Sequence, residues 1–121
     1  MTGVQTCALP ISFEAFVSTA SSPLTDMAAL SSIALIRDNL LGAYKHPVNM
    51  TYRNNMMMAS LMAGFAFSNA SLGLVHAMAH SLGGLLSLPH GECNAILLEE
   101  VVNYNYSADR KSTRLNSSHR L

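Results

Sequence analysis

A chain of 121 residues has room for one domain, and its 7 Lys and Arg offset its 7 Asp and Glu to leave no net charge. That balance excludes a protein held to nucleic acid by electrostatics, while 50% apolar and only 12% charged residues exclude a disordered chain and require a buried core. Two cysteines, Cys7 and Cys93, are too few for a disulfide framework and lack zinc-site spacing, so a reducing, cytoplasmic setting is expected.

The head, residues 1–11, carries only a short apolar run from Cys7 to Ile11 with no basic residue before it. It is therefore no signal peptide, and it reads as a disordered or non-native segment. Ser22 followed by Pro23 marks a helix start, with Ser as N-cap and Pro at the first helical position, where its missing N–H costs nothing. Met27, Leu30, Ile33, Ala34, Leu40 and Leu41 then recur at helical steps, with Gly42 and Pro47 as stop signals, so the spacing predicts a helix over about 23 to 43.

Asn49 can cap a second helix from about Met50 to Phe67. Apolar side chains lie nearly all round it, so it is expected to be central and buried on several sides. Its apolar block, Met56 to Phe67, is well short of the roughly twenty residues of a spanning helix, and no membrane partner is expected. A third helix is predicted from about Leu72 to Leu86, and a fourth from near Gly91 through Ile96, Leu97, Val101 and Val102, with Pro89 between them. No stretch alternates with a period of two for long. The expected fold class is all-α: a bundle of four to five helices forming an incomplete part of a larger helical domain, residues 12–109. Residues 110–121 place Arg110, Lys111, Arg114 and Arg120 among Ser and Asn with no apolar period, and read as a disordered basic tail.

Between Asn54 and Gly91 there is no Asp, Glu, Lys or Arg, yet three of the 5 histidines stand there: His76, His80 and His90. His76 and His80 are four apart and project from one helix face, the separation at which two rings can address one metal or one small substrate. His90, between Pro89 and Gly91, lies at a corner from which a third ring can fold back. The same pattern also suits histidines that merely pack. Ala77 follows His76, where a metalloprotease needs its Glu base, so that chemistry is excluded, and there is no Gly-x-Ser-x-Gly elbow or Gly-rich phosphate loop. Cys93, with no cation nearby in sequence, reads as a small buried hydrophobe, and Met56 to Met58 as core filler.

As a string, GLVHAMAHSLGGLLSLPHGECNAILL, Gly73 to Leu98, resembles the signature segment of the iron-containing (group III) alcohol dehydrogenases, including the spacing from His76 to His90. FEAFVSTASSPLTD, Phe13 to Asp26, is similar to the segment that opens the helical metal-binding domain of that family. The resemblance implies hydride transfer between an alcohol or aldehyde and NAD or NADP. It also implies a divalent metal, iron or alternatively zinc or nickel, and a homo-oligomeric parent enzyme. Carried across, it makes His76 and His90 metal ligands and His80 the proton-relaying histidine. The family's other two ligands, in an Asp-x-x-x-His step, fall where this sequence has Cys7 and Ile11. VQTCALPIS and RKSTRLNSSH resemble translated sequencing-adapter sequence, which would make both ends non-native. The expectation is thus a dehydrogenase fragment, inactive alone for want of the nucleotide domain and two ligands; the alternative is a stand-alone helical module with weak or no metal binding and no catalysis.

Overall fold

The computed structural model describes residues 3–71 and 73–109. The basic tail expected at 110–121 lies outside them. The described chain forms five helices: α1 Gly3–Val17, α2 Pro23–Lys45, α3 Met50–Ala70, α4 Leu74–Leu86 and α5 His90–Asp109. The all-α expectation holds, and the last four helices begin within two residues of where capping and periodicity put them.

The helix starts follow from local chemistry. Ser22 and Thr25 form a reciprocal capping box: the Thr25 N–H donates to Ser22 Oγ (3.3 Å) and the Ser22 N–H to Thr25 Oγ1 (2.7 Å), with Pro23 in the first turn. Asn49 Oδ1 accepts from the N–H groups of Thr51 (3.0 Å) and Tyr52 (3.3 Å). Gly42 does not stop α2, which continues to Lys45. Its role is one of contact. A Cβ there would sit 2.6 Å from Cε1 and Cζ of Tyr52, so the missing side chain lets the Tyr52 ring lie against the α2 backbone.

Residues 3–11 of the head are helical as the first part of α1, and Cys7, Ala8 and Pro10 are buried. α1 is the hub of the fold. It packs against α2 and α3, which pack on each other, and on its other side against α4 and α5, which also form a pair. Two apolar clusters fill the first junction. Ala8, Ile36, Ala43, Met56, Ala59 and Ala63 make one, with Leu9 and Ile11 against it; Ala15, Ala28, Ala29, Ala66 and Ala70 make the other. A buried hydroxyl relay crosses the same junction: Ser12 Oγ lies 2.8 Å from Ser32 Oγ, which donates to the Ala59 carbonyl (2.7 Å), tying α1, α2 and α3 together.

α3 departs from the expectation of burial on several sides. Only Met56, Ala59, Ala63, Ala66 and Ala70 are buried, one stripe at steps of three and four, while Met57, Met58, Leu61, Phe65 and Phe67 are exposed. Small residues win the inner face because they let helix backbones approach closely enough for contacts such as Ser32 to the Ala59 carbonyl.

Candidate functional site

The site grows from the junction of α1 with the start of α4. The N-cap of α4 is Gly73, which has no side chain to satisfy the first turn. Glu14, on α1, supplies the acceptor from a different helix. Its Oε1 takes the Val75 N–H at 2.6 Å, and its Oε2 lies 2.5 Å from His76 Nδ1. A Cβ on residue 73 would stand 3.1 Å from Glu14 Oε1, so glycine leaves room for the carboxylate to dock.

Glu14 is only 4% exposed and His76 likewise 4%. Burial alone would raise the Glu14 carboxyl, but the His76 hydrogen bond and the backbone N–H groups of Gly73 and Val75 outweigh it and hold the group below its ordinary range. The positive end of α4 favours the same charged form. A carboxylate only accepts, so His76 Nδ1 carries the proton, and in the neutral ring the lone pair falls on Nε2. That Nε2 is buried and has no hydrogen-bond partner among the described residues.

Around His76 the structure gathers the two other histidines singled out by sequence. The His76 and His90 ring centroids are 5.5 Å apart, and those of His80 and His90 are 4.8 Å apart. His80 is exposed, on the rim of the cluster. His90 is itself exposed, but partial desolvation, then the neighbouring His80 and His76, pushes it below the ordinary histidine range. Asn94 Nδ2 lies 3.0 Å from His90 Nε2 and 3.1 Å from the His90 carbonyl. The carbonyl can only accept, which orients the amide so that its NH₂ also meets the ring nitrogen. The same amide lies 3.7 Å from Cys7 Sγ. Cys7 therefore borders the histidine cluster, whereas Ile11 packs into the Ala8–Ile36 core and offers no donor.

Among the described residues, no group of three or more His, Cys, Asp and Glu side chains is arranged to hold a metal ion. Cys93 is buried, as its surroundings in sequence suggest, with its sulfur near Gly83. Sequence reasoning did not single out Glu14 or Asn94. The signal for Glu14 was an acid standing alone in the apolar run from Phe13 to Val17, a position that demands a buried partner.

The C-terminal model of the Fe-containing alcohol dehydrogenase family matches residues 1–120. The chain belongs to this iron-containing alcohol dehydrogenase family. Among curated relatives, alcohol dehydrogenase 4 of Saccharomyces cerevisiae is 50% identical over 108 residues, covering 89% of this chain and 28% of the relative. The 1,3-propanediol dehydrogenase of Citrobacter freundii is 51% identical over 102 residues, 84% of this chain and 26% of the relative. A solved alcohol dehydrogenase from Oenococcus oeni superposes with a TM-score of 0.85 at 41% identity, over 88% of this chain and 28% of that one. The chain thus spans little more than a quarter of the length of these family members.

Proposed function

We propose that this chain is part of the helical, metal-binding region of an alcohol dehydrogenase that moves hydride between an alcohol or aldehyde and NAD or NADP. The observation that carries the reading is His76 Nε2, a lone-pair nitrogen buried without a partner beside two further imidazoles in a chain of this family. When bound, a divalent metal (iron, or zinc or nickel) would supply Lewis acidity to the substrate oxygen, and a nicotinamide would supply the hydride acceptor.

The chain's own residues fit two positions of such a site. His76 offers a free, preoriented Nε2. His90, shifted toward the neutral form that a ligand needs, would exchange the Asn94 amide for the cation. His80, exposed with its ring centroid 4.8 Å from that of His90, would pass a proton between the substrate hydroxyl and water in this reading. Ile11 has no lone pair, and the Cys7 sulfur lies 3.7 Å from the Asn94 amide at the edge of the cluster. Two imidazoles make a weak chelate, and the 121 residues include no Gly-rich phosphate turn, so this chain by itself is inactive in this reading.

Zinc titration of the chain, followed by calorimetry, tests the assignment. One weak site lost in both His76→Ala and His90→Ala is expected; zinc binding that survives either substitution unchanged would overturn it. The second reading, a helical module with weak or no metal binding and no catalysis, is favoured by the engaged His90 Nε2 and predicts zinc heat that is absent or unaffected by His90→Ala.

A further inference from the structure

We infer that Glu14 is a positioning residue that acts through His76: it fixes the Nδ1–H tautomer and aims the Nε2 lone pair into the histidine cluster. This rests on the proposed ligand role of His76 but concerns a residue that reading does not use. Three observations converge on Glu14. Its two oxygens are committed separately, Oε1 to the Val75 N–H at 2.6 Å and Oε2 to His76 Nδ1 at 2.5 Å. Both partners belong to the first turn of α4, so the carboxylate anchors the backbone that carries the ring as well as the ring itself. Gly73 leaves the space for that approach, and at the far edge of the ring Nε2 is buried and unpartnered.

The carboxylate does two things that a neutral side chain of the same shape cannot. It accepts at both oxygens, which forces the proton onto Nδ1, and it raises the electron density of the opposite nitrogen. Glutamine at this position retains one acceptor. The Val75 N–H can only donate and claims it, so the amide NH₂ is turned toward His76 Nδ1. That nitrogen must then accept, and the ring proton moves to Nε2, closing the lone pair to a ligand.

The test is a long-range proton–nitrogen NMR correlation on the full chain with ¹⁵N-labelled histidine, without metal, at about pH 8, above the ordinary histidine range. The expected result is His76 as the Nδ1–H tautomer in the parent chain and as the Nε2–H tautomer in Glu14→Gln, with His80 and His90 unchanged. Zinc added to the two proteins should bind about 10–100-fold more weakly to Glu14→Gln. An Nε2–H tautomer in the parent chain, or an unchanged tautomer in a folded Glu14→Gln, overturns the inference. Should the variant not fold, the parent tautomer alone decides. Both tautomers as expected but no zinc response in either protein sinks the metal assignment and leaves the orienting role of Glu14 standing.

Discussion

Replacing Glu14 by alanine should destabilise the fold strongly, and the size of the loss follows from its bonds. The Val75 N–H, buried at the start of α4, would lose its acceptor, at a cost of about 1–3 kcal/mol. The His76 Nδ1–H would lose a charged acceptor, a further cost of about 1.5–3 kcal/mol. Removing a buried carboxylate also relieves its desolvation, which offsets part of this, so the net loss is about 3 kcal/mol. Against a total stability of about 5–15 kcal/mol, that is a large fraction. Urea unfolding followed by far-ultraviolet circular dichroism measures it as a lower midpoint at unchanged slope. Glu14→Gln, which keeps the cap on Val75, should lose about half as much. The pH dependence has a definite sign. Glu14 titrates below its ordinary value of 4.5 in the folded chain, so its stabilisation is fully present above that value. It disappears as pH falls through the lower folded-state pKa, and the gap between parent and variant should close there. A Glu14→Ala midpoint equivalent to under about 0.5 kcal/mol of loss at neutral pH would refute the claim that this carboxylate anchors α4.

Gly42→Ala should cost about 1–2 kcal/mol in the same assay, because the added Cβ meets the Cδ1–Cε1–Cζ edge of the Tyr52 ring, whereas Gly64→Ala, with nothing within 4 Å, should gain about 0.5–1 kcal/mol from helix propensity. Ser32→Ala, which removes the hydroxyl between Ser12 and the Ala59 carbonyl but leaves Ser12 donating to the Ala8 carbonyl, should lose about 0.5–1.5 kcal/mol with no change in zinc binding. Deleting residues 1–11 takes Ala8, Leu9 and Ile11 out of the α1–α2–α3 core, and should lower the thermal midpoint sharply; an unchanged midpoint would show that this segment contributes nothing to the fold.

The capping residues were legible because their chemistry is local: Ser22 and Asn49 act on N–H groups two or three residues away, and Pro23 fits the first turn by its own fixed φ. The gathering of His76, His80 and His90 was legible in part, since a four-residue step and a proline corner restrict where the rings can go. The hub role of α1 was not. Ala8, Ser12 and Ala15 carry little hydropathic signal, and their burial depends on partners 20 or more residues distant. Nor could hydropathy choose the inner face of α3, because Met57 and Phe65 score as more apolar than Ala59 and Ala63 yet lie outside. Shape decided that face. Glu14 was hidden for a related reason: its two partners are more than 60 residues away, and an isolated acid in a sequence does not say which helix start it will cap.

The seam between α1, α2 and α3 is lined by Ala15, Ala29, Ala59, Ala66 and Ala70, each with essentially no surface left to solvent. Glycine is the sole smaller side chain, so almost every mutation along this seam adds volume where none is available. Such a contact cannot drift by small independent steps. A larger residue on one helix is tolerable only if its opposite number shrinks, and most of these positions have nothing left to shed. The outer face of α3, with Met57, Leu61 and Phe65 exposed, adds nothing to that seam, so exchanges there leave the helix spacing alone, while the alanines that set it stay locked to one another.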